Sequence, residues 1–180
     1  MKSSLKVLLP IVSVVMFGMV IEAEETLERR DMGLFVRKHQ ESQHPGESFS
    51  ILQSEMDGHP LVATINMAYK TFKSKSAYPW FLSISSPLIN PTEDGLTTSE
   101  DAEALNQFED SVGRVLSRVC SYQFVGRVTW NGHREVLYYV DKPKEATDAL
   151  QTAINSGSYR PFAFQCKQDK TWQAAEMYLK

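Results

Sequence analysis

Arg127, His133 and Arg134 sit on either side of an Asn131-Gly132 pair, within Gly126-Arg127-Val128-Thr129-Trp130-Asn131-Gly132-His133-Arg134-Glu135. Asn-Gly tolerates the two positive φ angles of a type I′ turn, so the flanking residues are expected to pair as antiparallel strands. Arg127, His133 and Arg134 would then gather at one hairpin and could bind a small anion. The competing arrangement is a solvated charge ladder with Glu135, in which a cross-strand pair contributes only ~0.2–1 kcal/mol.

Other chemistry-bearing residues are less organised. His39, Glu41 and His44 lack the His-Glu-x-x-His spacing that puts two imidazoles on one helical face, and Pro45-Gly46 interrupts any helix there. Glu93-Asp94 and Glu109-Asp110 are carboxylate pairs, but neighbouring residues on a helix point in different directions, so both read as surface charge. Cys120 follows an expected helix C-terminus, where the dipole disfavours a thiolate. There is no Gly-x-Ser-x-Gly elbow and no phosphate-binding glycine-rich loop. No catalytic residue, metal or cofactor is therefore expected.

The elements that must position these residues are clearest from Pro79 onward. Trp80–Ser85 alternates as a strand. Thr97 or Thr98 then caps a helix that carries Glu100, Asp101 and Glu103 near its start. Leu105, Phe108, Val112, Val115, Leu116 and Val119 form one apolar stripe along it. Tyr122–Trp130 and Arg134–Val140 are the two arms of the hairpin, with Tyr122, Phe124, Gly126, Val128 and Trp130 expected on one face. Asp141 is expected to cap a second helix with Pro143 in its first turn, a stripe of Ala146, Ala149, Leu150, Ala153 and Ile154, and a stop at Gly157. Pro161–Lys167 is the last strand.

This order is that of a ferredoxin-like βαββαβ unit over residues 79–168: a four-stranded antiparallel sheet in the order last, first, third, second, with both helices on one face. Ahead of it, Ser48–Met56 and Leu61–Tyr69 flank Asp57-Gly58-His59-Pro60 and read as an N-terminal β-hairpin that extends this sheet or covers part of its open face. Trp172, Met177, Tyr178 and Leu179 require the tail to dock.

The topology bears on the two cysteines. Cys120 and Cys166 would fall on opposite edges of a four-stranded sheet, about 14 Å apart at ~4.8 Å per strand spacing. A disulfide needs Cα atoms within roughly 7 Å, so two buried reduced thiols are expected. On the sheet face away from the helices stand Phe81, Val125, Leu137 and Tyr139. If the hairpin and tail leave them uncovered, they are a candidate interface.

Lys2 and Lys6 precede an uncharged run from Val7 to Ile21, and Ala23 precedes Glu24-Glu25. That is the three-part form of a secretory signal, and the run is short of the roughly 20 residues a membrane span needs. The expected organisation is a cleaved leader over 1–23, a polar spacer over 24–47 and one α+β domain over 48–180, secreted or periplasmic, with no membrane anchor after cleavage. Removing the leader changes the net charge from −3 to −4, which disfavours nucleic acid as a partner. With 42% hydrophobic residues the chain can build a packed core.

Pro79-Trp80-Phe81-Leu82, Asp94-Gly95-Leu96, Val125-Gly126-Arg127-Val128-Thr129, Asn131-Gly132, Arg134-Glu135 and Tyr138-Tyr139, with Asp169, Trp172 and Tyr178 in the tail, together resemble the bacterial domain of unknown function family 695. The resemblance runs from roughly Phe49 to Tyr178. It implies the α+β fold and no activity. Some relatives are similar to the cytosolic regulators of ribonuclease E activity, which are small ferredoxin-like inhibitors. The function expected is thus an exported binding or protein-interaction module whose partner is another envelope protein. The alternatives are a small envelope hydrolase without a recognisable motif and a regulator similar to those ribonuclease inhibitors.

Overall fold

The computed structural model describes residues 44–180. The leader over 1–23, the spacer up to residue 43, and His39 and Glu41 within it lie outside the described residues. Among the described residues no helix is long and apolar enough to cross a membrane.

The described residues form a mixed helix-and-sheet fold. The strands are β1 (Phe49–Met56), β2 (His59–Asn66), β3 (Trp80–Pro87), β4 (Tyr122–Trp130), β5 (His133–Val140) and β6 (Ala163–Gln168), and the helices are α1 (Ser99–Ser117), α2 (Pro143–Ser156) and the short α3 (Gln173–Glu176). All six strands join one antiparallel sheet in the order β1-β2-β4-β5-β3-β6. The four-stranded sheet expected from the sequence would have ended at β4. Of the two placements open to the N-terminal hairpin, it takes the extension of the sheet: β2 pairs along β4 from Leu61↔Trp130 to Ile65↔Gly126, so β4 is interior and β1 is the edge.

Local chemistry sets the turns and caps. Asp57 and Gly58 (φ 51° and 79°) turn β1 into β2, and Asn131 and Gly132 (φ 43° and 78°) turn β4 into β5. The Thr98 hydroxyl accepts from the Asp101 backbone N–H at the start of α1. Gly157 closes α2 in the left-handed conformation, and Pro143 opens it. The expected cap from Asp141 is absent: its carboxylate accepts from Ser121 N at 2.9 Å, tying the β4 entry to the β5 exit.

One irregularity reassigns side chains. The β4–β5 register slips between Phe124 and Gly126. A bulge of one residue moves everything beyond it to the other face. Tyr122 and Phe124 therefore face the helices as expected, but Val128 and Trp130 belong to the opposite core, and Arg127 and Thr129 take the helix side. Gly126 is required here: at φ 157°, a Cβ would stand 2.3 Å from Thr64 O on β2.

Each sheet face carries its own core. On one side, Phe108, Val112 and Leu116 of α1 and Ala146 and Leu150 of α2 pack on Leu82, Ile84, Val136, Tyr138 and Val140. On the other, Phe81, Val125, Leu137 and Tyr139 lie beneath Tyr69, Tyr78, Trp172, Ala175 and Leu179. The Trp172 ring stacks on Tyr139 at 3.8 Å and donates its indole N–H to Lys75 O and Tyr78 O, both 3.0 Å away. The tail and the two 3₁₀ turns (Met67–Thr71 and Ser74–Ala77) thus close this face. The four residues considered as an interface are 0–9% exposed, so an open apolar surface at Phe81, Val125, Leu137 and Tyr139 is ruled out. Cys120 and Cys166 are both free, and half-buried rather than fully buried as expected.

Candidate functional groove

The helices cover β3, β4, β5 and β6, but β1 and β2 extend the sheet past α1. The overhang leaves a groove of about 610 Å³ between α1 and the hairpin. Its floor holds the rings of Tyr122, Phe124 and Tyr138, with Phe49 at its mouth, and its helical wall holds Glu109, Asp110, Gly113, Arg114 and Ser117. Positions 110, 113, 114 and 117 fall on one helical face by their three- and four-residue spacing. Gly113 lets this wall approach the floor closely, because a Cβ there would stand 3.1 Å from the Tyr122 hydroxyl. Phe49, at the groove mouth, lies 6.1 Å from Phe124 ring to ring and is 45% exposed, and Ile51 beyond it on β1 is 70% exposed.

Arg127 and Arg134, picked out from the sequence, do converge, but on a carboxylate of the chain itself. Arg127 Nη1 donates to Glu109 Oε2 at 2.9 Å and to Asn106 Oδ1 at 2.9 Å. Arg134 Nη1 pairs with Glu109 Oε1 at 3.4 Å, while its Nε and Nη2 donate to Thr129 Oγ1 and Thr97 Oγ1 at 3.2 and 3.4 Å. Burial pushes the Arg134 guanidinium below its ordinary value, and Glu109 opposes that shift. His133 does not join them; its ring bonds to Asn131 O at 3.2 Å and the residue is exposed. Glu135 also leaves the group, because it hydrogen-bonds Ser83 on the other face.

Glu109 was the residue that sequence reasoning placed wrongly. Beside Asp110 it reads as surface charge, yet it is 9% exposed and bridges two arginines. A signal was present: Glu109 lies four residues after Leu105 and three before Val112, inside the apolar stripe. Asp110 is exposed, as read. Phe49 and Thr64 could not be assigned to this site without knowing that β2 pairs with β4.

The remaining candidates are dispersed. His44 bonds Gln123 Oε1 at 3.1 Å, beneath the opposite face. Glu93 and Asp94 are exposed in the loop before α1. Burial raises the Cys120 thiol to about 12, with Asp141 adding to the shift, and burial raises Cys166 to about 11, so neither is a ready nucleophile. Among the described residues, no three His, Cys, Asp or Glu side chains are grouped to hold a metal ion.

Two comparisons, with characterised proteins and with solved structures, gave no match. The comparison with family models did: a family of unknown function, DUF695, matches residues 48–179, the whole span from β1 to the end of the tail. The chain therefore belongs to that family.

Proposed function

We propose that this protein is an exported, non-enzymatic binding module that takes a segment of another envelope protein into the groove between α1 and the β1–β2 hairpin. The observation that carries the reading is the pairing of an aromatic floor with a polar rim in a concavity of about 610 Å³, a composition suited to holding a ligand. The ionisable groups of the groove favour binding over catalysis. Glu109 is engaged by two arginines, and Asp110 and Arg114 stand on the exposed rim. Residues 79–168 are read as a ferredoxin-like unit, supported by the order β4-β5-β3-β6 and by two helices packed on one core, with β1–β2 added at one edge.

The test places a photo-crosslinking residue at Ser117 or Thr64 on the groove, or at Lys144 on exposed α2 as a control, in cells of the native host. One envelope protein should cross-link from the first two sites and not from Lys144, and Phe49→Ser should remove it. Equal labelling from Lys144, or indifference to Phe49→Ser, would refute the groove. Export is tested separately by N-terminal sequencing of the native protein, since intact Met1 in a cytosolic fraction refutes cleavage.

A further inference from the structure

Arg127 and Thr64 line the groove and also a second hollow of about 160 Å³, completed by Thr97, Thr129 and Arg134 among others. The hydrogen bonds around it leave a set of donors without acceptors. Arg127 spends only Nη1, on Glu109 and Asn106. Its Nε and Nη2 hydrogens, the parallel pair that fits a carboxylate bidentately, have no partner among the described residues. Thr97 and Thr129 each accept from Arg134, so each keeps its hydroxyl proton to donate, and neither donates within the described residues. Two guanidiniums against the single carboxylate of Glu109 leave one positive charge at this end. Asp110 and Arg114, which also line the groove, offset one another, and Asp101, nearer the start of α1, is already paired with Arg160 at 3.2 Å.

We propose that the hollow beside Arg127 receives the C-terminal carboxylate of a partner polypeptide whose last, apolar side chain lies on the aromatic floor. The inference rests on the groove being the binding site and names what enters it. One net positive charge matches a monoanion, which favours a carboxylate over a phosphate monoester near −2. A chain end suits the site better than a small acid because the apolar surface continues out of the groove onto Phe49 and Ile51. Arg134 is a positioning residue, holding Thr97, Thr129 and Glu109 in place.

The probe is an acetylated oligoalanine peptide ending in phenylalanine, titrated into the full-length protein as the free acid and as the C-terminal amide, with NMR readout. The acid should move the Arg127 side-chain Nε–H and the amides of Thr64, Thr97 and Thr129. The amide should bind about tenfold or more weakly, as expected when one charge-assisted pair is lost. Arg127→Gln should erase the difference between the two, and Arg127→Lys should restore part of it. Thr97→Val, which leaves the Glu109 pairing intact, should weaken the acid alone. Equal binding of acid and amide overturns the carboxylate site, while shifts at Tyr122 and Phe124 in that case would leave the groove reading standing. Shifts at Arg127 with none at Tyr122 or Phe124 overturn the groove reading and with it the chain-end assignment. Displacement of the acid by inorganic phosphate at equal or lower concentration, or equal affinity for N-acetylphenylalanine, also overturns the proposal.

Discussion

Glu109 holds together the polar wall of the groove. A carboxylate 9% exposed between two arginines is stabilised by their charge, and they depend on it in turn. Removing one partner of a buried pair costs far more than the pair contributes, so Glu109→Ala should destabilise by about 3–5 kcal/mol in chemical denaturation. The exposed pair Lys144–Asp148, at 2.7 Å, gives the contrast: water screens it, and losing it should leave the denaturation midpoint essentially unmoved. Two glycines separate steric from conformational requirement. Gly126→Ala drives a Cβ to 2.3 Å from a neighbouring backbone oxygen and should cost about 3 kcal/mol or more. Gly132 has open space around it but a φ of 78°, so Gly132→Ala should cost about 1–2 kcal/mol. Equal losses at the two sites would show that close packing of β2 on β4 is not what Gly126 provides.

The tail is a clamp built around Asp169. Its carboxylate accepts from Tyr139 Oη at 2.6 Å and from the backbone N–H groups of Ala174 and Gln173 at 2.9 and 3.0 Å, and this seats Trp172 on Tyr139. Burial tends to raise the Asp169 carboxyl, but these hydrogen bonds, with the charge of Lys167, outweigh it and hold the group below its ordinary value of 3.8. A depressed native value means the folded chain binds this proton less readily than the unfolded chain. The stabilisation is then complete above the ordinary value and is lost as pH falls through the native one. Acidification should release the Trp172 indole N–H from its NMR position, and Asp169→Asn should abolish that particular acid transition. Trp172→Ala, which empties the centre of this core, should cost about 3–5 kcal/mol and expose the apolar sheet face to a hydrophobic dye.

The described residues form one sheet between two unlike covers, helical on one side and made of 3₁₀ turns and tail on the other. Its thiols report on the helical side. Burial raises both thiols, Cys120 to about 12 and Cys166 to about 11, and so suppresses their thiolates at neutral pH; alkylation of both cysteines should follow unfolding. The unreduced native chain should show two free thiols by mass, and a bridge would contradict the structure. Much of this architecture was legible before any coordinates. The Leu105–Leu116 stripe, the strand alternation, and the Asp57-Gly58 and Asn131-Gly132 turns are local, because helix and strand periods and positive-φ turns depend on residues a few positions apart. The site was only half legible. Arg127 and Arg134 drew attention by residue type, whereas Glu109, Phe49 and Thr64 did not. Three things waited for the tertiary structure: the pairing of β2 with β4, the bulge that sent Arg127 and Thr129 to the helix side, and the tail that closed over Phe81 and Tyr139. Alternation fixes which residues share a face of a strand but carries no record of the strand's partner, and a slip of one residue exchanges the faces. The groove arises from those long-range choices, made by packing between segments that no local period connects.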